Sequence, residues 1–518
     1  MSAKRMGSNP RFYTNYIPSD EEIKEIQLDI ASRSEELARL DARIRELSTE
    51  RDEIQAYIDS QKALISHPRR LPADIVRDVF IACLPTRRNA VMSAQEAPLL
   101  LCRICSAWRT IALSTPRLWA SMHVPFHFIL AKEPRTLAVA QWLQRSAACP
   151  ISFSVYEGWA DPIEGVSRSA GRDAVIRSLC AVSDRWRHVE FDGMVSEVPH
   201  ELSDITSASL LDSFKFSGWT SILDRLTFYQ VPSLRTVTLH LEGAEPVTEF
   251  LLRIPMIWDR LQHLTISCAT GIPATNLIVL LGRCPQLISI RVSPILDSDV
   301  DPMISTSFLP FLDTFDTSSS SFNMAPRSLS YIVAYTSMPR LRRFSLRVAT
   351  CQDEPHDSFS LATLGQKSRF IEDITICLPY FTKHSLPETL RSLPSLTKLL
   401  VFDGYTWEEN GFQSCTFSQL LDILSDTATC PMLQELVIRN WDSPNSKSGL
   451  NAFITKRMES PHPLQRLEIS GTPWASEVLD LIPETEIKFC LSRGLAISLL
   501  CDKSWKASPW TGVPIDTE

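Results

Sequence analysis

Thiol and imidazole side chains at short spacing are the first candidates for chemistry in this sequence. Cys102 and Cys105 form a C-x-x-C pair, and His123 and His127 form an H-x3-H pair, spacings that zinc and redox sites use. Neither pair has a further ligand nearby, and the Val-Pro-Phe between the histidines breaks helical periodicity. Both pairs are therefore interpreted as structural, and the sequence predicts no metal and no cofactor.

Motifs of the common enzyme classes are absent from the sequence. It contains neither G-x4-G-K-[ST] nor G-x-G-x-x-G, which hold phosphates through glycine-rich backbone, and it has only 16 glycines. The G-x-S-x-G turn that presents a serine nucleophile is also missing. No cysteine lies in a recognisable catalytic pattern. We therefore predict that the protein is not an enzyme and has no catalytic residue.

Composition and charge indicate a folded protein. Its 518 residues leave room for about two to four domains, and 44% hydrophobic with 22% charged residues is ordinary for globular chains. The net charge of −8 and the pI near 5.8 argue against a nucleic-acid partner. No long apolar run and no apolar amino-terminal segment is present, so no membrane association is expected. Thirteen irregularly spaced cysteines indicate a reducing compartment, the cytoplasm or the nucleus.

Residues 20–66 carry a heptad pattern. Ser19 and three acidic residues after it provide a helix start signal, and isoleucine or leucine then recurs at alternating steps of three and four. Arg33, Arg51 and Gln61 occupy the remaining positions of the stripe. We predict a coiled coil or a long amphipathic helix, after a disordered N terminus at residues 1–19. Either self-association or folding back onto the rest of the chain would cover the apolar stripe, which consists of Ile23, Ile26, Ile30, Leu37, Leu40, Ile44, Leu47, Ile54, Ile58 and Ile65.

Residues 68–122 are predicted to form a small helical module. A leucine–proline pair opens its first helix, with proline at a position that needs no amide donor. Ile75, Val79 and Phe80 then recur at helical spacing and are expected to share one apolar face. Three short helices bury too little apolar surface to be comfortable alone, so this module is expected to bind a partner.

The second helix of this module is expected from Ala97 to Ala112. Pro116 lies just beyond it, because proline cannot continue a helix. Leu118 and Trp119 follow as a large apolar anchor. The side chains expected on the buried side of the second helix are Leu101, Ile104, Cys105 and Trp108.

The order and spacing of these elements resemble the F-box, with L-P-x2-I-x3-V-F, I-C-x2-W-R and P-x-L-W in sequence. The insertion PTRRNAVMSAQEAP departs from the usual short connection, and similar insertions occur in the expanded F-box family of mushroom-forming fungi. The resemblance implies docking onto a Skp-type adaptor, and through it onto a cullin and a RING subunit. Some matching residues must instead form the core of the module, and the pattern does not divide the two sets. The adaptor-binding residues that the resemblance implies are Leu71, Pro72, Ile75, Val79, Leu101, Ile104, Cys105, Trp108, Leu118 and Trp119.

A short unit of the form L-x-x-Φ-x-Φ, where Φ is apolar, returns eleven times between residues 186 and 490, at steps of 23 to 37 residues. This period is similar to that of leucine-rich repeats. The alternation predicts a half-buried strand in each unit, and helix-like stretches separate the units. Such strand–helix units bury their apolar faces only by stacking into a solenoid. The units begin at Trp186, Leu211, Leu234, Leu261, Leu287, Leu312, Leu341, Ile371, Leu396, Leu433 and Leu464.

The predicted fold is thus an N-terminal helix or coiled coil, a small three-helix F-box and an irregular leucine-rich-repeat α/β solenoid. Residues 123–185 are predicted to be a linker and solenoid cap, and residues 491–518 a C-terminal tail. A doubly wound α/β domain is the alternative fold. That alternative is less favoured, because no glycine-rich turns follow the predicted strands.

The resemblance implies the substrate-recognition subunit of a Skp–cullin–F-box ubiquitin ligase, whose repeats hold a protein client of unknown identity. The alternative is an interaction scaffold that binds the adaptor without ligase assembly. Solenoids commonly bind partners along the outward-facing residues of their strands. Basic residues prevail there in the early units, which favours an acidic client. These outward residues are Arg187, His188, Lys215, Arg235, Thr238, Gln262, His263, Arg291, Arg342, Arg343, Ser345, Lys398, Gln434, Glu435 and Glu468.

Overall fold

The structure is a computed structural model that divides the chain into two compact units, residues 1–78 and 79–518. The ranges that it describes are 15–65, 67–126, 133–157, 169–194, 200–206, 208–242, 247–296, 305–319, 326–348, 361–402, 415–441, 447–471 and 492–501.

The helices within these ranges vary from one turn to twelve turns. None of the described helices is both long and apolar enough to cross a membrane. They are α1 (Asp20–Leu64), α2 (Ala73–Ala82), α3 (Leu101–Ile104), α4 (Ser106–Leu113), α5 (Glu133–Arg145), α6 (Ser169–Cys180), α7 (His200–Ser203), α8 (Thr220–Leu223), α9 (Val247–Arg253), α10 (Ala274–Gly282), α11 (Pro326–Tyr335), α12 (Ala362–Lys367), α13 (Ser385–Arg391), α14 (Phe417–Ser425) and α15 (Lys447–Met458).

The described strands all follow α4 in the chain. They are β1 (Ser121–Pro125), β2 (Ile151–Tyr156), β3 (Trp186–Met194), β4 (Ser213–Trp219), β5 (Thr236–Glu242), β6 (His263–Pro273), β7 (Ser289–Leu296), β8 (Ser307–Phe308), β9 (Thr314–Ser319), β10 (Thr336–Ser337), β11 (Arg343–Val348), β12 (Asp373–Cys377), β13 (Lys398–Phe402), β14 (Glu435–Trp441), β15 (Arg466–Gly471) and β16 (Ala496–Cys501).

Helix α1 confirms the long helix predicted from the heptads, as one uninterrupted element of 45 residues. Its start is fixed by a capping box, in which the Ser19 side chain accepts from the Glu22 amide at 3.4 Å and the Glu22 carboxylate accepts from the Ser19 amide at 2.9 Å. None of its side chains is buried. The apolar stripe of this helix is therefore exposed.

The prediction of a single helix from Ala97 to Ala112 is wrong. Two short helices, α3 and α4, occupy this stretch, and Cys105 between them is extended, with φ −157° and ψ 169°. The Cys105 sulfur accepts from the Trp108 amide at 3.4 Å and caps α4. Because of this break, the side chains of α3 and α4 do not share one continuous helical face. The predicted buried side is therefore only partly correct.

Fourteen strands form one parallel sheet in chain order, and β8 and β10 form a separate pair. Each of the eleven predicted units supplies a strand of the large sheet, from β3 to β15, so the repeat prediction is confirmed. A doubly wound domain would reverse its strand order at one point, and the described sheet contains no such reversal. This part of the chain is an α/β solenoid.

The first residue of each unit and the two inward-facing residues of its strand form the core of the solenoid. In the unit at Leu234, that residue is buried with Val237 and Leu239, while Thr236 and Thr238 point to the opposite, polar face of the sheet. Parallel register brings the corresponding residues of successive strands side by side, as for Val237 and Leu264. Stacking therefore buries a continuous row that no single unit could bury.

The solenoid extends beyond the predicted bounds of 186–490 at both ends. Strand β2 and the last three residues of β1 lie in the segment predicted as linker and cap, and β16 lies in the predicted tail. By register, Trp119 and Gly494 occupy the positions where the recognised units have their first leucine, and Ile151 pairs with Trp186, the first residue of its unit. None of these three residues is a leucine, which hid the corresponding units from a search for leucine.

Basic side chains from one repeat cap the carboxyl end of the preceding repeat's helix. Arg283 donates to the Leu252 carbonyl at the end of α9 at 2.7 Å, and Lys367 donates to the Val333 carbonyl in α11 at 2.9 Å. Arg457 donates to the Leu424 carbonyl in α14. Arg185 donates to the Cys149 carbonyl, which follows α5, at 3.0 Å. Orphan carbonyls and the negative end of the helix dipole are thus satisfied by a residue of the next repeat.

Gly365 in α12 is required because the helix approaches the end of α13 too closely for a side chain. A Cβ at Gly365 would overlap both the carbonyl oxygen and the hydroxyl of Ser392. Replacing Gly365 with alanine should therefore lower the free energy of unfolding by about 1–3 kcal/mol, although alanine is the better helix former. Chemical denaturation measures this change.

Gly449→Ala in α15 is the matched control. A Cβ there would meet Leu421 at 3.7 Å, an ordinary contact distance. The control should be neutral or stabilise by up to about 1 kcal/mol, because alanine restricts the unfolded chain. Equal effects of the two substitutions would contradict the close approach at Gly365.

Candidate functional site

The C-x-x-C pair lies in the helical segment, at α3 and α4. Cys105 is exposed and caps α4, and Cys102 is half-buried, where burial raises the pKa of its thiol. His123 is buried, with its Nδ1 2.9 Å from the Ser154 hydroxyl, and His127 lies outside the described residues. Within the described ranges, no group of three histidine, cysteine or acidic side chains is placed to hold a metal ion.

The cysteines of the solenoid behave as small apolar residues. Cys268, Cys284, Cys377 and Cys430 are all buried. Burial raises the pKa of Cys268 to about 11 and that of Cys284 and Cys430 to about 12. These thiols are therefore protonated at neutral pH and poor nucleophiles.

Helix α2 leaves apolar side chains on its exposed side. Ile75 and Val79, one helical turn apart, are 44% and 45% exposed, whereas Val76 and Phe80 are buried. The prediction that Phe80 shares a face with Ile75 and Val79 is therefore wrong. Large apolar residues without a covering partner are characteristic of interaction surfaces when several occur close together.

The leucine–proline pair before α2 is exposed as well. Leu71 is exposed by about as much as Ile75, and Pro72 also belongs to the exposed class. Four of the residues implied by the resemblance, all within nine positions of the chain, are thus available to a partner.

The short helices α3 and α4 divide the remaining residues into exposed and packed ones. Ile104 is 54% exposed and Cys105 is exposed, although both were expected on a buried side. Leu101 is buried, as expected. Trp108 is half-buried, with its ring edge-on to Phe80 at a centroid distance of 4.9 Å. Leu100, which the sequence analysis did not single out, is exposed beside Ile104 in the chain.

Leu118 and Trp119 are core residues. Both are almost completely buried, and the Trp119 indole donates to the Ala112 carbonyl at 2.9 Å. The Trp119 ring packs edge-on against Trp142 at 4.8 Å, and the guanidinium of Arg145 lies 4.6 Å from its centroid. Leu118 and Trp119 therefore hold the helical segment against the first solenoid repeat and are not available to a partner.

The polar face of the sheet carries ion pairs between neighbouring strands. Lys215 on β4 pairs with Glu190 on β3, and Arg291 on β7 pairs with Asp316 on β9 at 2.8 Å. These acidic partners compensate two of the basic residues that were expected to attract an acidic client.

Histidines on this face add little positive charge. The pKa of His188 is lowered by burial and then by Arg187, and the pKa of His240 is lowered by burial and then by Lys215. Both imidazoles are therefore neutral at pH 7. The expected positive charge in the early repeats is reduced accordingly.

A groove of about 350 Å³ lies at the amino ends of strands β9 to β14. Five of its nine lining residues are among the outward residues predicted from the sequence, which therefore come together here. The four lining residues that were not predicted lie just before a strand or at its first residue. The predicted lining residues occupy the same positions of their repeats. The lining consists of Asp313, Arg342, Arg343, Glu372, Asp373, Thr397, Lys398, Gln434 and Glu435.

Charges of both signs line this groove. Arg343 and Asp313 pair at 2.6 Å, and Lys398 and Asp373 pair at 3.3 Å. Burial alone would raise the pKa of Asp313, but the hydrogen bonds from Arg343 and Thr314 hold that pKa below its usual value. The groove is therefore built from fixed pairs, and it suits a polar or charged segment better than an apolar one.

Three charged lining residues have no ion pair within the described part of the chain. Arg342 and Glu372 are exposed, and Glu435 is half-buried. A ligand in the groove would meet one available cation and two available anions. It would gain most from carrying complementary charges of both signs.

Comparisons with known proteins add little to this description. No family model matches the chain, and no curated protein matches it. Among solved structures, the chain is similar to the LRR ectodomain of the plant membrane receptor kinase GASSHO1/SCHENGEN3 from Arabidopsis thaliana, in complex with CASPARIAN STRIP INTEGRITY FACTOR 2. That match has 13% identity and a TM-score of 0.23, and it covers 70% of this chain and 42% of the ectodomain. The chain thus spans less than half of the ectodomain's length, and the assignment as an α/β solenoid rests on strand order and register.

Proposed function

We propose that this protein is the substrate-recognition subunit of a Skp–cullin–F-box ubiquitin ligase. The observation that carries the proposal is the exposure of Leu71, Pro72, Ile75 and Val79, which match the F-box pattern and lie on or just before α2. Ile104, the last residue of α3, is also exposed. Apolar anchors of this kind dominate the binding energy of protein interfaces.

We propose a smaller adaptor-binding set than the resemblance implies. Leu101, Leu118 and Trp119 are buried and are assigned to the core, and Trp108 supports the module through its contact with Phe80. The proposed binding residues are then Leu71, Pro72, Ile75, Val79, Ile104 and Cys105.

In this proposal the solenoid holds the client and the chemistry belongs to partners. The adaptor brings a cullin and a RING subunit, and the client's lysines meet the activated thioester by proximity. We propose the groove at β9 to β14 as the client site, because Arg342, Glu372 and Glu435 line it and have no ion-pair partner among the described residues. The proposed compartment is the cytoplasm or the nucleus.

The test replaces both exposed residues of α2 by glutamate, Ile75→Glu with Val79→Glu. Capture of a recombinant Skp-type adaptor should fall at least about tenfold, because two apolar anchors become charged. The thermal unfolding midpoint should not change, since both residues are exposed. Adaptor and cullin retention are measured by co-purification and quantified by titration.

Phe370→Glu is the matched control, since Phe370 is a large exposed apolar residue on the solenoid. It should leave adaptor capture unchanged. Undiminished capture by the α2 variant would refute the docking model. Adaptor binding without cullin incorporation would instead favour the second candidate, a scaffold that uses the adaptor outside a ligase.

A further inference from the structure

The apolar stripe of α1 is exposed along the helix. It consists of ten isoleucine and leucine side chains, and none of them is buried. We propose that α1 pairs with α1 of a second copy of this chain in an antiparallel coiled coil, offset by one heptad from full overlap. This inference is independent of the proposed ligase function.

A second helix is needed because the stripe follows coiled-coil spacing over the whole element. Positions a and d of the heptads, here called the seam, begin with Ile23 at a and Ile26 at d and continue to Ile65. A pattern of this length is characteristic of paired helices and is longer than one globular face requires. Leu28, at the outer position f, is exposed too but does not belong to the seam.

A parallel pair places like charges together. Each seam residue would face itself, so that Arg33 meets the partner's Arg33 and Arg51 meets the partner's Arg51 in the interface. At the flanks, position g of one helix faces position e of the next heptad in the other, which brings Glu36 against the partner's Asp41 twice. None of the flanking positions in this arrangement pairs an acid with a base.

The offset antiparallel pair avoids every one of these contacts. Seam residues whose numbers sum to 91 then face each other, so that Ile44 meets the partner's Leu47 and Leu37 meets the partner's Ile54. Arg33 faces the partner's Ile58, and its charge is already paired with Asp29 at 2.8 Å on its own helix. Nine apolar seam residues per helix are covered, against ten in the parallel pair, so apolar burial does not decide between the two.

Charges decide between them. In the offset antiparallel pair Arg43 at position g faces the partner's Glu50 at position g, and symmetry repeats this contact. Antiparallel pairing with full overlap would instead place Arg43 against itself, Asp41 against itself and Arg33 against the partner's Arg51. The one-heptad offset is thus the arrangement that combines apolar layers with complementary flanks.

The first test is the oligomeric state of the full chain, measured by size-exclusion chromatography with light scattering. The wild type should be a dimer. Ile44→Glu with Leu47→Glu, which charges the central layer, should give monomers, and Leu28→Glu at position f should remain a dimer. A monomeric wild type, a higher oligomer or a dimer that survives the central substitutions would overturn the proposal.

The second test determines orientation by charge exchange. Arg43→Glu alone and Glu50→Arg alone should each weaken the homodimer about tenfold, because both flanking contacts become repulsive. Mixing the two variants should restore wild-type affinity, since every contact in the mixed dimer again joins an acid and a base. In a parallel dimer these residues face Ser48 and Gln55, so unchanged affinity in both variants would overturn the antiparallel arrangement.

Discussion

Replacing Arg457 with methionine should lower the free energy of unfolding by about 3 kcal/mol, because several buried acceptors lose their donor at once. Arg457 is fully buried at 0% exposure. It donates to the carbonyls of Leu424 at 2.7 Å, Thr429 at 2.5 Å and Cys430 at 2.9 Å, all at or beyond the last turn of α14. Burial lowers the pKa of this guanidinium, and the nearby Cys430 and Asp426 partly oppose that shift.

Two further variants separate the role of the hydrogen bonds from that of the charge. Arg457→Lys retains the charge but provides fewer donors in a different geometry, so it should fall between wild type and methionine. Lys456→Met changes the exposed neighbour on the same helix and should have an effect below about 0.5 kcal/mol. Denaturant titration measures all three, and equal stability of wild type and Arg457→Met would contradict the capping role.

Replacing Trp119 with alanine should lower the free energy of unfolding by about 3–5 kcal/mol, as for other large core residues. The substitution removes the indole that packs on Trp142 and donates to the Ala112 carbonyl. The resemblance to the F-box implied that Trp119 binds the adaptor, so this measurement distinguishes a role in stability from a role in binding. A core residue affects stability first, and binding only as a consequence.

Trp219→Ala is the matched control, because Trp219 is half exposed on the solenoid. Its effect should be below about 1 kcal/mol. Thermal unfolding and adaptor capture should be measured on the same samples. An unchanged unfolding midpoint for Trp119→Ala together with lost adaptor capture would return Trp119 to the binding surface.

The solenoid was largely predictable because each recognised unit repeats one physical requirement. A buried first leucine and two alternating apolar residues are needed wherever a strand joins the stack, as at Leu234, Val237 and Leu239. The terminal units escaped this pattern because Trp119 and Gly494 replace the leucine. Trp186, which was recognised in the same position, is the signal that could have identified Trp119.

The sites were less predictable than the fold. Which face of a short amphipathic helix is covered depends on its packing partners, so Ile75 and Phe80 could not be separated by spacing alone. The break at Cys105 likewise depends on a cap formed by its own sulfur. The groove depends on strand register, which decides that Arg343 reaches Asp313 while Arg342 remains unpaired among the described residues.

The basic caps between repeats give the solenoid a direction of assembly. The carboxyl end of α14 obtains the Arg457 donor when the chain has extended to that residue, and α9 obtains a donor from Arg283. During synthesis, the most recently formed helix therefore remains incompletely satisfied until the following repeat leaves the ribosome. Each repeat completes the one before it, and a chain truncated between Thr429 and Arg457 would expose a helix end that its own remaining residues cannot satisfy.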